Sequence, residues 1–364
     1  MPLTIRGMGT AVPEQQVNQS DSMALAELVS ADSPERAALV RRIQRRTQVQ
    51  NRGSVLLGDD ASEPISKRLP FYGAKSPTTA ARMNEFDHHA SALAINACRL
   101  ALEEAELAAD VITHLVTVCC TGFKAPGVDL ALIDQLELDP GVQRTHVGFM
   151  GCHGALNGLR VARAFAEADA NAVVLLCSVE LCSLHLHYGW DPEKVVANAL
   201  FADGAAALVA SQALAQSKQS LTLKASGSTV IPNTSSLMHW QVGDHGFAMG
   251  LSPQVPEAIA GALQPWLSSW LRDHGSDLTE IRSWALHPGG PRILQACADA
   301  LALKTEHLAE SRSVLEAHGN MSSATVLFIL ERMRHKACSG PCLALAFGPG
   351  LCAEVALFDL CKSN

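Results

Sequence analysis

A cysteine at the start of a helical sequence pattern is the first feature of this chain that could support chemistry. Cys152 lies in GFMGCHGALNGLRVARAF, residues 148–165, where small and apolar residues recur at the three- and four-residue spacing of an α-helix. A thiol in the first turn of a helix lies at the positive end of the helix dipole, which favours the thiolate form. We therefore expect Cys152 to be a nucleophile. The alternative is a small residue that fits a tight joint between a strand and a helix.

A histidine and an asparagine from the second half of the chain could complete a site with this cysteine. His287 ends the apolar run in SWALHPGG, and Asn320 begins another helical pattern in GNMSSATVLF. A histidine can pair with a thiolate, and an asparagine donates hydrogen bonds without titrating. Together they can stabilise the oxyanion of an enolate or a thioester. This set favours carbon–carbon bond formation from an acyl thioester over peptide hydrolysis.

Three segments of the first half recur in the second half at one spacing. Residue 110 corresponds to residue 277 and residue 152 to residue 320, which are offsets of 167 and 168. A third pair, NAVVLLCSVE and GPCLALAFGPG, follows at about the same offset. Apolar runs that alternate with helical patterns predict an α/β fold whose mostly parallel strands are buried between helices. We expect two duplicated α/β halves, residues 1–215 with the cysteine and residues 216–364 with the histidine and asparagine. The site would lie where their corresponding loops meet.

The composition limits the class of protein. Of the 364 residues, 48% are hydrophobic and 18% charged, which is typical of a folded globular chain. Lys and Arg total 28 against 36 Asp and Glu, a net charge of −8 that argues against nucleic acid as the main partner. We find no secretory signal pattern and no apolar run near the ~20 residues of a membrane span. Eleven cysteines without a CxxC pair indicate reduced thiols and a cytoplasmic location.

Five ordered segments resemble the signature segments of type III polyketide synthases, the chalcone synthase-like condensing enzymes with a thiolase fold. They are GFMGCHGALNGLRVA, ANALFADGAAALVA, WALHPGGPRIL, AHGNMSSATVLFIL and AFGPGLCAEVALF. The likeness spans about residues 1–359. It implies a thiolase-like fold with α-β-α-β-α layers and a homodimer. It implies no cofactor, because CoA thioesters are the substrates.

The resemblance also implies roles for the three residues. Cys152 would carry the acyl starter as a thioester, and His287 and Asn320 would drive decarboxylation of malonyl-CoA and stabilise the carbanion. The resulting enolate would attack the acyl group on the cysteine. Repeated extension would give a poly-β-keto chain that cyclises to a pyrone or to a resorcinol- or phloroglucinol-type product.

Further residues align with positions that shape the substrate cavity of this family. Phe201 falls at an aromatic gate between the CoA tunnel and the cavity, and Gly348 and Gly350 belong to a loop that scaffolds cyclisation. Ala125 and Met249 replace a methionine and a second aromatic gate of the plant enzymes, which argues against a p-coumaroyl starter and leaves room for a long aliphatic chain. The other substrate-binding candidates are Cys120, His185 and Ser322.

Two other groups of residues are open to more than one interpretation. RRIQRRTQVQNR, residues 41–52, is either a solvated helix face or a phosphate clamp for CoA, with Arg45 and Arg46 as first candidates. His185, His187 and Cys182 could suggest a metal site, but no fourth ligand follows at a suitable spacing, and we expect no metal. Next to the basic cluster, residues 51–80 contain many Gly and Pro residues, which predicts a long irregular excursion at one edge.

Two rival functions fit part of the pattern. A β-ketoacyl-carrier-protein synthase of the third type uses the same three residue types and condenses only once. A non-catalytic homologue would bind acyl-CoA without turnover. The GPG loop and the HGNMSS context favour the iterative enzyme, and the presence of all three residues argues against the non-catalytic homologue.

Overall fold

The computed structural model describes residues 2–73, 75–212, 219–336 and 339–362. Within these ranges the strands are β1 (Leu3–Ala11), β2 (Gln16–Asn18), β3 (Asn51–Gly53), β4 (His114–Cys119), β5 (Gln143–Gly148), β6 (Val173–Leu181), β7 (Asp203–Ser211), β8 (Gln219–Val230), β9 (Met238–Gly243), β10 (Gly246–Leu251), β11 (Ser283–Leu286), β12 (Gly340–Gly348) and β13 (Cys352–Lys362). The helices are α1 (Gln19–Ser30), α2 (Pro34–Arg46), α3 (Ile65–Arg68), α4 (Thr79–Ala105), α5 (Val128–Leu136), α6 (Gly154–Ala168), α7 (Pro192–Leu200), α8 (Val255–Asp273), α9 (Pro291–Leu301), α10 (Ala309–His318) and α11 (Thr325–His335). Short 3₁₀ helices cover Ala109–Val111, Cys182–His185, Thr305–Leu308 and Ser322–Ala324.

Nine of the described strands form one mixed sheet in the order β11-β12-β13-β8-β1-β7-β6-β4-β5. The pairs β11–β12, β4–β6 and β4–β5 are parallel, and the other five neighbouring pairs are antiparallel. In each half all strands but one run in the same direction. The exceptions, β7 and β13, each separate two strands that run alike. The predicted α/β class with mostly parallel strand directions is confirmed, and these two strands add antiparallel pairing that the apolar runs did not indicate.

Three buried clusters define the layers of the fold. The middle cluster joins α6 and α11 to both halves of the sheet, for example through Leu156 and Leu327 with Val118 and Ala344. A second cluster places α4 on the outer face of the first half, and a third places α8 and α9 on the outer face of the second. Because α6 and α11 are covered on both sides by strands, the layers follow the order α-β-α-β-α.

Helix starts in the first half are fixed by caps that the sequence supplies. The Asp191 carboxylate accepts hydrogen bonds from the backbone N–H groups of Glu193 and Lys194, and Pro192 occupies the first position of α7. Ser33 caps α2 in the same way. Together with α1, these two helices pack into a small separate cluster, which places them beside the site described next.

Candidate active site

Cys152 lies in the tight turn that leads from β5 into α6. It stands one residue before the helix cap, His153, and is 7% exposed. The preceding Gly151 has φ +82°, and a Cβ there would collide with the ring of Pro349. Glycine is therefore required for the turn that presents the sulfur at the N-terminal end of the helix.

The structure brings Cys152, His287 and Asn320 to one central cavity. His287 follows β11 and Asn320 precedes α11, so that the second half contributes both. The free space is about 20 Å³, room for about one water molecule. The other residues that line this central cavity are Phe201, Met238, Met249, Leu251, Gly289, Ile293 and Phe347.

The amide of Asn320 is oriented by the residues that follow it in the chain. Its Oδ1 accepts a hydrogen bond from the Ser322 N–H at 2.9 Å and from the Thr325 hydroxyl at 3.5 Å. The Nδ2 group is thereby left as the donor, and the amide contacts the Cys152 sulfur together with the Ser322 hydroxyl. Asn320 thus presents a hydrogen-bond donor at the point where a thioester on the cysteine would lie.

Burial controls the protonation of the cysteine and the histidine. It raises the pKa of the Cys152 thiol to about 12, although the contacts with Ser322 and Asn320 lower it. It lowers the pKa of His287 to about 3. In this cavity burial outweighs the helix dipole and favours the thiol over the expected thiolate. Neither ring nitrogen of His287 has a hydrogen-bond partner among the described residues.

A buried carboxyl group lies behind the cysteine. Glu180 accepts hydrogen bonds from the Thr121 hydroxyl at 2.8 Å, from the Cys120 N–H at 3.0 Å and from the Ser323 hydroxyl. Burial raises its pKa and these bonds lower it. The sequence prediction missed this residue, and its one signal was an acidic residue inside the apolar run NAVVLLCSVE.

Two of the predicted gate residues separate the central cavity from a second space. Phe201 and Met249 line both the central cavity and an inner cavity of about 60 Å³. The inner cavity is otherwise lined by apolar side chains that include Val17, Leu25, Leu69, Leu186 and Ala197, and by polar side chains that include Arg52, Tyr72, His187 and Asn198. Ala125 lies elsewhere, in a surface cavity beside β4. Within one chain Ala125 therefore borders neither the central nor the inner cavity, and its effect on the starter stays a prediction.

His185 lines the inner cavity, but both of its ring nitrogens are used. Nε2–H donates to the Thr121 carbonyl at 2.7 Å, and Nδ1 accepts from the Phe247 N–H at 2.9 Å. The ring also stacks on Phe247 with centroids 4.2 Å apart. Burial lowers its pKa to about 3, so the neutral ring holds β10 against the 3₁₀ turn.

The remaining cavity candidates surround the turn that carries the cysteine. The Cys120 sulfur accepts a hydrogen bond from the Gly151 N–H at 3.0 Å. A Cβ on Gly348 would collide with the His153 ring, so the GPG loop, which ends at Gly350, packs directly on this turn. These residues support the turn. Phe347, which directly precedes the GPG loop, lines the central cavity.

An outer groove of about 530 Å³ adjoins the central cavity through Leu251, Gly289 and Ile293. Arg46 lines the groove from α2, and Arg292 lines it from α9. The side chain of Arg45 is exposed but does not line the groove, so its assignment to a phosphate clamp here is not supported. The sequence prediction missed Arg292, which stands two residues after the HPGG segment.

In the described ranges, no three His, Cys, Asp or Glu side chains lie close enough to hold a metal ion. No helix of that part of the chain is long and apolar enough to cross a membrane.

Family models for the N- and C-terminal domains of chalcone and stilbene synthases match residues 2–213 and 222–360. The chain belongs to this family of type III polyketide synthases. It is 33% identical to "Alpha-pyrone synthesis polyketide synthase-like Pks18" of Mycobacterium tuberculosis, over 98% of this chain and 91% of that relative. It is 32% identical to "1,3,6,8-tetrahydroxynaphthalene synthase" of Streptomyces peucetius, over 97% of this chain and 92% of that one.

Solved structures of the same family share the fold. PKS-I from the brown alga Ectocarpus siliculosus superimposes with a TM-score of 0.92 and 29% identity, over 99% of this chain and 98% of that chain. The resemblance drawn from the five sequence segments and the thiolase-like fold are thus confirmed. This polyketide synthase is an acyltransferase that performs decarboxylative condensation, and the family uses acyl-CoA and malonyl-CoA.

Proposed function

We propose that this enzyme loads an aliphatic acyl-CoA starter on Cys152, extends it with malonyl-CoA and releases a pyrone or a resorcinol- or phloroglucinol-type product. The observation that carries the proposal is the meeting of Cys152, His287 and Asn320 in one buried cavity between an outer groove and an inner cavity. A CoA thioester in the groove would reach the sulfur past Gly289 and Ile293.

The three side chains carry out two tasks in this proposal, transfer of the starter and stabilisation of the enolate. His287 accepts the Cys152 proton as the sulfur attacks the starter thioester, and it passes that proton to the CoA thiolate as the C–S bond to CoA breaks. With the cysteine acylated, neutral His287 and the Asn320 Nδ2 group donate to the malonyl thioester oxygen, which stabilises the enolate formed as CO₂ leaves. Because neither donor is a strong acid, the carbanion carbon is not protonated and attacks the acyl group. All three side chains are buried, and the central cavity of about 20 Å³ keeps bulk water from the enolate.

The aliphatic starter is inferred from the inner cavity. Its lining is mainly apolar, and its partition from the central cavity includes Met249, whose unbranched side chain can change rotamer. At about 20 Å³ the central cavity holds no acyl chain until Phe201 or Met249 moves. A relative named for alpha-pyrone synthesis supports the pyrone product.

Three further expectations belong to this proposal. We assign residues 1–215 and 216–364 to two thiolase-like halves, the first with the nucleophile and the second with the two donors. We expect a homodimer, and a partner would cover the exposed side chains of Phe123, 46% exposed, and Leu130, 40% exposed, at one surface cavity. We also expect action in the cytoplasm, where CoA thioesters are available and thiols stay reduced. Light scattering of the purified enzyme tests the dimer.

The test is incubation of the enzyme with labelled malonyl-CoA and acyl-CoA starters from acetyl to stearoyl, together with aromatic starters. Mass spectrometry identifies the products, and Cys152→Ala is the matched control. Pyrones or resorcinols from aliphatic starters support the proposal. Products from aromatic starters alone would refute the starter class. A single β-ketoacyl product that forms only with an added acyl-carrier protein would refute iterative extension.

A further inference from the structure

The segment that carries the gate residue Phe201 is bonded directly to Asn320. The Asn320 N–H donates to the Leu200 carbonyl at 2.8 Å, and the Ala202 N–H donates to the Asn320 carbonyl at 2.9 Å. These two bonds form a parallel bridge between Phe201 and Asn320. The main chain on either side of the gate ring is therefore fixed to the residue that would bind the enolate.

Arg52 holds the same segment from the opposite side. Its Nη1 group donates to the Asn198 carbonyl at 2.5 Å and to the Phe201 carbonyl at 3.0 Å. These carbonyls belong to the C-terminal end of α7, where the last carbonyl groups lack partners within the helix and the dipole is negative. A guanidinium group satisfies both oxygens at once, which a single ammonium group does less well.

The second terminal nitrogen of Arg52 begins a series of hydrogen bonds that runs towards the outer groove. Nη2 donates to the Ser22 hydroxyl, and that hydroxyl donates to Gln44 Oε1 at 3.1 Å. Ser22 and Gln44 are both buried, at 4% and 2% exposure. Gln44 lies on α2, and the same helix carries Arg46 into the groove. A continuous set of hydrogen bonds thus connects a wall of the groove with the gate segment.

We propose that Arg52 is a positioning residue for the gate: through the carbonyl groups of Asn198 and Phe201 it holds the Phe201 ring between the central and inner cavities and sets which starter chains pass. The proposal rests on the proposed function, because it concerns transfer of an acyl chain to Cys152. Arg52 also lines the inner cavity. The proposal assigns its effect on the starter to the main chain of the gate, and the double-mutant cycle below separates this effect from direct contact with the acyl chain.

Arg52→Met removes the donors and keeps a side chain of similar length. Without them the two carbonyl groups lose a charged partner, and the ring is no longer held in one place. We expect the selectivity between palmitoyl-CoA and acetyl-CoA to move towards unity by about tenfold, since hydrogen bonds to charged groups are among the stronger ones. Arg52→Lys retains one charged donor, and we expect a smaller shift in the same direction.

The readout is the rate at which each starter loads onto Cys152, measured by mass spectrometry of the intact protein at several starter concentrations. Arg334→Met is the matched control, because Arg334 is also buried and also donates to a carbonyl group, that of Arg6, but lies at the end of α11. We expect this control to lower the melting temperature without changing the selectivity ratio.

A double-mutant cycle with Phe201→Ala tests whether Arg52 acts through the gate. In the Phe201→Ala background, Arg52→Met should change the selectivity ratio by less than about twofold, because coupled residues are non-additive. An unchanged ratio in Arg52→Met, or the same tenfold shift in both backgrounds, would overturn the proposal. If Arg52→Met does not fold, Arg52→Lys and Ser22→Ala decide, and wild-type ratios in both would overturn it. A wild-type enzyme that loads no starter refutes the proposed function itself, whereas normal loading with an unshifted ratio refutes only Arg52.

Discussion

Asn320→Asp separates the shape of the amide from its ability to donate a hydrogen bond. In the structure Oδ1 already accepts from the Ser322 N–H at 2.9 Å, so the substrate-facing atom is Nδ2. The aspartate keeps the size and the acceptor but places a second oxygen where the donor was. The parallel bridge to Phe201 uses only backbone groups and is retained.

The expected fall in the decarboxylation rate has two causes, one lost hydrogen-bond donor and one added charge. Removal of one donor to a developing oxyanion costs about 2.7–4 kcal/mol, or about 10²–10³ in rate. The carboxylate also repels the enolate, and two like charges 4 Å apart at an effective dielectric constant of 20 interact by about 4 kcal/mol. We therefore expect decarboxylation of malonyl-CoA at pH 8 to fall by at least about 10³ in Asn320→Asp, and by less in Asn320→Ala.

The pH dependence of the decarboxylation rate distinguishes the Asp variant from the Ala variant. Asn320 is 1% exposed, and burial raises the pKa of a carboxyl group placed there. As the pH falls the carboxyl group is protonated and becomes a donor again, so the Asn320→Asp rate should rise towards pH 5.5. The rate of Asn320→Ala should not rise, since methyl groups do not titrate. His287, with a pKa of about 3, stays neutral throughout this range.

The assay is release of labelled CO₂ from malonyl-CoA, with circular dichroism at each pH to confirm that the variants stay folded. The reasoning is refuted if Asn320→Asp retains more than a tenth of the wild-type rate at pH 8. It is equally refuted if the pH profiles of the Asp and Ala variants run parallel.

Three further predictions follow from the same geometry. Cys152→Gln should lose polyketide formation but retain CO₂ release from malonyl-CoA, because its amide occupies the place of the thioester; product formation at the wild-type rate would contradict the nucleophile. Arg46→Glu and Arg292→Glu should each raise the KM for malonyl-CoA about tenfold, with less effect at high salt, since they remove charge-assisted phosphate contacts. Arg45→Glu is their control, and equal KM values in all three variants would argue against CoA in this groove. Glu180→Ala should lower the free energy of unfolding in urea by about 3–5 kcal/mol, as it leaves three buried donors without an acceptor. A loss below about 1 kcal/mol would show that water replaces the carboxylate.

The layered fold could be predicted from the sequence because it depends on repetition and burial. Two halves with the same order of apolar and helical segments have few ways to cover both faces of their strands. The directions of β7 and β13 could not be predicted from the sequence in this way. A strand such as DGAAALVAS is buried at every position and carries no alternation, so its pattern is the same in either direction.

The chemical groups of the site were accessible from residue types, and their roles remain predictions. The supporting contacts were not accessible, because they join segments far apart in the chain through backbone atoms. Arg52 stands in a basic run typical of a solvated helix face, yet its acceptors lie 146 and 149 residues later. His185 lines the inner cavity as interpreted, but the sequence did not show that its two nitrogens bond main-chain groups near β4 and on β10. Every residue carries the same main-chain carbonyl group, so no sequence pattern marks which one accepts a side-chain hydrogen bond.

The bridge between Phe201 and Asn320 couples the rate of turnover to the choice of starter. Any substitution at position 201 that moves the main chain moves the amide that would bind the enolate, so a new starter gained there comes with a slower enzyme. Met249 lines the same cavity from the separate β9–β10 hairpin. In natural or laboratory evolution, we therefore expect substitutions that admit new starters to arise first at position 249. Phe201, Asn320 and Arg52 should stay unchanged.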